Sequence, residues 1–269
     1  MSSADRATET APVPRVRVGA RSFGPGAPAV AVPVMGSTPE EVLASAARAC
    51  SGPADLVEWR VDHLAAPVAD LLTDLPDLLA RLVEALDGVP LLVTYRTAGQ
   101  GGEGHATPQE YLALVERLAD LPGVDLVDVE LDHPQRDAAL AALRAAGVPR
   151  LVSHHDWSGQ APEAELEQQV ADLRATGADA VKLATTPADT PAALELLAVL
   201  DRVSTSGVPV AMLGMGAAGQ VTRLVGPACG GFLTFAHAGA ASAPGQLDVH
   251  LVAATVEGLC GPGGEPPAP

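Results

Sequence analysis

Of the sixteen Lys and Arg side chains in this 269-residue sequence, fifteen are arginine and one, Lys182, is lysine. The difference is chemical. A guanidinium keeps its proton under ordinary conditions, whereas a buried amine can lose it and then attack a carbonyl carbon. Lys182 lies in the run Gly177-Ala178-Asp179-Ala180-Val181-Lys182-Leu183-Ala184-Thr185-Thr186. That run reads as a buried strand, where a solubilising lysine has no reason to be. A sequence rich in Ala, Arg and Pro is short of lysine in any case, so scarcity alone permits a chance survivor. Scarcity together with a strand-interior position points to a functional amine.

Other groups suited to chemistry stand at the ends of similar runs: Glu58 and Arg60, Arg96, Asp128 and Glu130, Ser153 and His155, and Met215. Alternate residues of a strand share a face, so each of the three pairs projects together, while His154 takes the face opposite His155. Histidine has the intrinsic pKa to move protons near neutrality. Four of these groups also have a plainer reading: Glu58 with Arg60 as a barrel-floor ion pair, His155 as a satisfied core histidine, Met215 as an apolar wall. The glycines at 99, 101, 102 and 104 are too irregular for a phosphate loop and predict mobility near the mouth.

Positioning these groups needs a repeating scaffold. Apolar, β-branched runs recur near 29–35, 55–61, 89–95, 124–131, 148–154, 179–185, 208–215 and 230–236. Stretches with helical periodicity separate them, several opening with an N-cap signal such as Ser37-Thr38-Pro39-Glu40-Glu41 or Thr107-Pro108-Gln109-Glu110. Pro90, Pro149 and Pro209 stand at strand starts, where a missing N–H does least harm. Eight such repeats predict an α/β fold of the (β/α)8 TIM barrel type, in which active sites gather at the carboxyl ends of the strands. An open doubly wound sheet shares the alternation, but Val34-Met35-Gly36-Ser37-Thr38-Pro39 does not match its glycine-rich phosphate loop. Val16-Arg17-Val18 and the residues before Gly24-Pro25-Gly26 predict a short N-terminal β-hairpin. The expected organisation is a disordered segment at 1–14, a single catalytic domain at 15–260 and a flexible tail at 261–269.

A net charge of −17 argues against nucleic acid as a partner and requires a local arginine cluster for any anionic substrate. Screening over ~8 Å at physiological salt makes such a cluster effective. Three cysteines without metal spacing predict reduced thiols and a cytoplasmic protein. No apolar run reaches the ~18 residues of a membrane span, and no signal-peptide pattern opens the chain.

Six motifs run in order from about residue 29 to 250: Glu58-Trp59-Arg60-Val61-Asp62, Thr94-Tyr95-Arg96, Ser153-His154-His155-Asp156, Val181-Lys182-Leu183-Ala184, Gly214-Met215-Gly216 with Arg223, and Ser242-Ala243-Pro244-Gly245-Gln246. Together they resemble the type I 3-dehydroquinate dehydratase family. The resemblance implies a Schiff-base hydro-lyase of the shikimate pathway, with no metal or cofactor and commonly a homodimer; chorismate and aromatic amino acid biosynthesis and quinate breakdown both stay open as its role. It implies Lys182 as the imine-forming lysine and His155 as the general acid/base. Glu58, Arg60 and Arg96 then surround the substrate's hydroxyl and carboxylate groups, Arg223 pairs with the carboxylate, and Ser242 and Gln246 belong to a closing loop.

Two positions depart from the family pattern. Gln100 stands where relatives are expected to carry a glutamate that holds and polarises the histidine, and Pro33 where some place a serine. Three rivals stay open on sequence alone. Another lysine-imine aldolase shares Lys182 but not the Ser242–Gln246 loop. A metal-dependent barrel would use Glu58, Asp128, Glu130 and His155. A non-catalytic relative binding a polyhydroxy acid is motivated by Gln100.

Overall fold

Short apolar runs bounded by proline and glycine become the strands of one rolled parallel sheet. The computed structural model describes residues 13–261, so the expectations for the two ends fall almost wholly outside the described residues. A hairpin of β1 (Val16–Val18) and β2 (Arg21–Phe23) comes first. Then follow β3 (Ala29–Val34), α1 (Pro39–Cys50), β4 (Leu56–Arg60), α2 (Val68–Leu86), β5 (Leu91–Thr94), α3 (Pro108–Ala119), β6 (Leu126–Glu130) and α4 (Arg136–Ala146). The second half holds β7 (Arg150–His155), α5 (Glu163–Ala175), β8 (Ala180–Thr185), α6 (Thr190–Val203), β9 (Val210–Gly214), α7 (Gly216–Val225) and β10 (Leu233–His237). A two-residue strand, β11 (Leu247–Asp248), and α8 (Val249–Cys260) complete the described chain.

Hydrogen bonding runs from β3 stepwise to β9, with β10 on the other side of β3. Between β9 and β10 there is no ladder, but Phe232 N donates to Val210 O at 3.1 Å across that seam. The sheet closes there, and the expected (β/α)8 barrel is present, with its antiparallel hairpin. The anticipated N-caps also form. Thr38 Oγ1 accepts from Glu41 N at 3.3 Å, and Thr107 and Glu110 make a reciprocal capping box.

A repeated device sets strand height. Asp55-Leu56-Val57-Glu58, Asp125-Leu126-Val127-Asp128 and Asp179-Ala180-Val181-Lys182 open β4, β6 and β8 alike. The amides of Asp55, Asp125 and Asp179 donate to the carbonyls of Val30, Leu91 and Arg150 at 2.9, 3.1 and 3.0 Å. Their carboxylates accept back from the amides of those same residues at 3.1, 2.9 and 2.9 Å. Two residues on, Val57, Val127 and Val181 donate to the carbonyls of Pro90, Pro149 and Pro209 at 3.0, 3.1 and 3.0 Å. Proline lacks the donor but keeps the acceptor, so it can open a strand without breaking the ladder. The fourth residue of each repeat, Glu58, Asp128 or Lys182, therefore stands at an equivalent height.

Beneath that level the barrel is apolar. Leu56, Leu92, Leu126 and Leu151 pack inside it against Val16, Val18 and Phe23 of the hairpin, which plugs the amino end. On the outer face Val57, Trp59, Val129 and Leu183 meet helix leucines such as Leu75, Leu79 and Leu82 of α2. Burying such side chains stabilises the fold by roughly 1.5–3 kcal/mol each. Polar groups inside the barrel are thus confined to its carboxyl end.

Candidate active site

A pocket opens at that end. Ten of the residues expected there line it: Glu58, Arg60, Arg96, Gln100, His155, Lys182, Met215, Arg223, Ser242 and Gln246. Asp128 and Glu130 are buried beside it and face Arg96. The mixture of apolar walls with a few convergent polar groups suits a small polar substrate.

Lys182 is 6 % exposed, and its Nζ lies 4.3 Å from the centroid of the Phe235 ring. Burial lowers its pKa to about 8. Glu58 and Asp128 work against that shift, while Arg96 and Arg60 assist it. In the β7–β8 register Lys182 is opposite Ser153 and His155 is opposite Ala184, so the imidazole stands one step nearer the mouth than the amine.

His155 is partly buried, and its pKa falls well below the usual histidine value, because of burial first and then the charges of Arg96, Lys182 and Arg60. Its Nδ1 is buried without a hydrogen-bond partner. Gln100 does not hold the ring as a glutamate was expected to; its Oε1 instead accepts the His155 main-chain amide at 2.8 Å. His154 takes the opposite face as read, with Nδ1 2.7 Å from Asp132.

The three arginines differ in what they already hold. Arg60 does not pair with Glu58. The single turn after β4 brings Asp62 back to meet its Nε and terminal nitrogen at 2.9 and 2.7 Å. Glu58 accepts from Thr94 Oγ1 at 2.9 Å instead. Arg96 contacts Asp128 at 2.7 Å, Ser153 at 3.0 Å and Glu130 at 3.2 Å. Burial opposes its charge, but these carboxylates outweigh burial and raise its pKa. Arg223 is 2 % exposed and donates to the carbonyl of Pro244 at 3.3 Å. No carboxylate of the described residues pairs with it, its Nε is unpartnered, and burial lowers its pKa to about 10. An anionic group entering the pocket therefore meets two arginines already neutralised and one that is not.

Pro244 lies inside the loop expected to close over the site. Gln246 Oε1 accepts from Ser242 N at 2.8 Å and its Nε2 donates to Ser242 Oγ at 2.9 Å, which ties the loop across its base. The glycine-bearing loop after β5 is equally tied. Ala98 N donates to Gly104 O at 2.9 Å, and Gly104 N to Arg96 O at 3.0 Å. A Cβ on Gly102 or Gly104 would come within 2.2–2.6 Å of Arg96 O, so these two glycines are required for close packing, a role not read from the sequence.

Sequence reasoning assigned no role to four contributors: Asp62, Thr94, Phe235 and Trp157. Strand alternation would have found Thr94 and Phe235, since each shares its neighbours' inward face. Trp157 follows β7 and is 42 % exposed at the pocket rim. The metal reading needs Asp128 and Glu130 to converge with Glu58 and His155, yet both carboxylates point to Arg96. Among the described residues no group of three or more His, Cys, Asp or Glu is placed to hold a metal ion.

The family model for type I 3-dehydroquinase matches residues 30–257. The 3-dehydroquinate dehydratase of Clostridium kluyveri is 33 % identical over 233 residues, 85 % of this chain and 91 % of that protein. That of Enterococcus faecalis is 34 % identical over 234 residues, 86 % of this chain and 92 % of that protein. Among solved structures, the 3-dehydroquinate dehydratase of Geobacillus kaustophilus superposes with a TM-score of 0.86 at 28 % identity, covering 91 % of this chain and 96 % of that one. The type I enzyme of Clostridium difficile, with covalently modified comenic acid, gives 0.85 at 26 % identity, covering 91 % and 97 %.

Proposed function

Given that the chain belongs to the type I 3-dehydroquinase family and is a hydro-lyase, we propose that it converts 3-dehydroquinate to 3-dehydroshikimate and water through an imine on Lys182, with His155 moving the protons. The observation that carries the mechanism is the placement of the sequence's only lysine: buried, with a depressed pKa, on the strand beside His155 and opening on the same pocket. With a pKa of about 8 the amine is neutral in roughly one molecule in ten at pH 7, against about one in three thousand at the ordinary value of 10.5. The Clostridium difficile relative carries a covalently modified small acid, which fits a site that forms covalent bonds to its ligands.

The proposed steps use these groups in turn. The Lys182 amine adds to the substrate ketone and the adduct loses water, giving an iminium that acts as an electron sink. His155, neutral because burial and the neighbouring cations oppose its protonation, removes the proton on the carbon next to the iminium. The resulting enamine expels the β-hydroxyl, which takes that proton from His155 and leaves as water. Hydrolysis of the conjugated iminium returns the amine and releases the enone. Arg223 holds the substrate carboxylate, Glu58 and Arg60 meet its hydroxyls, and Met215 with Phe235 keeps the carbon skeleton dry.

The test is intact mass after borohydride reduction with and without dehydroquinate, followed by mapping of the modified residue. A reduced adduct on Lys182, lost in Lys182→Ala, is the expected result; turnover by a folded Lys182→Ala protein would sink the imine. Enone absorbance separates dehydration from an aldolase reaction. We also infer a cytoplasmic homodimer from family membership, which light scattering of the purified chain checks for mass.

A further inference from the structure

Asp62 lies one residue beyond Val61, outside the strand, and its carboxylate is wholly buried. A carboxylate offers about four acceptor positions, and all four are taken here. Oδ1 accepts from Arg60 Nε at 2.9 Å and from the Arg96 main-chain amide at 3.2 Å. Oδ2 accepts from the Arg60 terminal nitrogen at 2.7 Å and from the Glu103 main-chain amide at 3.1 Å. Balancing Arg60 needs only two of these. The other two seize both ends of the loop after β5, at Arg96 and Glu103.

That loop is closed on itself. Thr97 O accepts from Gln100 N at 3.0 Å and from Gly102 N at 2.9 Å. Thr97 N and Oγ1 are bonded to Glu130 at 2.8 and 2.7 Å. A loop so tied moves as one body, and its tip carries Gln100, whose Oε1 holds the His155 amide. Displacement at the base is therefore passed to the tip.

We propose that Asp62 is a positioning residue for the dehydration: one buried carboxylate fixes the Arg60 guanidinium and the base of the 97–104 loop in a single frame, and through Gln100 sets where His155 stands against the substrate. The proposal rests on the function proposed above, since it concerns the same pocket. It assigns Asp62 no contact with substrate.

Asp62→Asn keeps the volume but puts an NH2 where one oxygen was, so in either amide orientation two donors face two donors. The expected result is a folded protein in which kcat falls about ten- to a hundred-fold while borohydride still traps dehydroquinate on Lys182. Hydrogen exchange should accelerate across 97–104. Arg60→Ala should lose substrate affinity yet leave that exchange slow, and the Arg60→Ala/Asp62→Asn double variant should turn over more slowly than Arg60→Ala. A double variant equal to Arg60→Ala, with loop exchange unchanged, would show that Asp62 acts only through Arg60 and would overturn the proposal. Should Asp62→Asn not fold, Asp62→Glu keeps the charge and displaces it by one methylene; wild-type kcat and exchange there would overturn it equally. Absence of any trapped adduct in the unsubstituted protein is a different outcome, which defeats the imine reading instead.

Discussion

Gln100 reaches His155 through the main chain and not the ring: its Oε1 accepts the His155 amide at 2.8 Å, while Nδ1 of the imidazole is buried without a partner. The charges that act on the ring are those of Arg96, Lys182 and Arg60, all positive, together with His154. Such a histidine is well placed to start neutral and take a proton. No anion is among the largest influences on it to favour its protonated form.

Replacing Gln100 by glutamate tests that balance. A negative charge near the ring favours the imidazolium and raises the His155 pKa from its depressed value. Because the neutral imidazole is the base, the acid limb of the kcat/KM profile should move to higher pH in Gln100→Glu. Gln100→Ala, which releases the amide without adding charge, should lower kcat and leave that limb in place. A limb that stays still in Gln100→Glu would separate residue 100 from the titration of His155. A protein that binds dehydroquinate without turnover until the glutamate is introduced would support the non-catalytic reading of this sequence.

Lys182 should weaken the fold at neutral pH. Its pKa is about 8 when folded against 10.5 when free, so below pH 8 both states hold the proton and the folded state carries the whole cost of a buried ammonium. That cost is on the order of 3 kcal/mol. It shrinks as pH rises from 8 towards 10.5, where the folded state has lost the proton and the unfolded chain has not. Lys182→Met, similar in volume and compatible with the Phe235 contact, should raise the urea midpoint at pH 7. Its advantage should fade above pH 8, and turnover and borohydride trapping should be abolished. Equal urea midpoints at pH 7 would mean that the ammonium is solvated in the folded protein.

The extent to which these features were legible in the sequence follows physical lines. Apolar, β-branched runs, three of them led by proline, located all eight barrel strands within three residues of their observed starts. Period-two alternation then put Glu58, Asp128, Ser153 and Lys182 on the inner face. Pairing was not legible. Arg60 takes Asp62 in place of Glu58 because a single turn after β4 folds the carboxylate back, and no periodicity encodes that turn. Gly102 and Gly104 show a related limit: a glycine needed for close approach to Arg96 O looks, in sequence, like one needed for motion.

Arg223 should dominate recognition of the substrate's charge. It is buried with an unpartnered Nε and no carboxylate of the described residues against it, whereas Arg60 and Arg96 are already paired. Arg223→Ala should raise KM on the order of 100-fold, the worth of a strong charged hydrogen-bonded pair at about 2.7 kcal/mol. The effect on kcat should be smaller, because the amine and the imidazole are untouched. Thermal stability should not fall in step, since removing a buried guanidinium that lacks an anion relieves a desolvation cost. Equal losses in kcat and KM, or a wild-type KM, would move the carboxylate site elsewhere in the pocket.

Trp157 offers a direct reading of occupancy. The two tryptophans differ sharply: Trp59 is 0 % exposed on the outer barrel face, and Trp157 is 42 % exposed at the rim. A ligand filling the pocket excludes water from the Trp157 indole and leaves Trp59 unchanged, so emission should shift to the blue on binding. In Lys182→Ala, which binds without turnover, the shift should saturate with dehydroquinate, and it should vanish in Lys182→Ala/Trp157→Phe. The ring also rests on Gly101, where a Cβ would lie 2.2 Å from its carbon Cζ2 and where φ is +80°. Gly101→Ala should therefore push the indole outward, red-shift the unliganded spectrum and reduce the change on binding. A blue shift that survives Trp157→Phe would have to come from Trp59, and with it the placement of the ligand beneath the rim would fail.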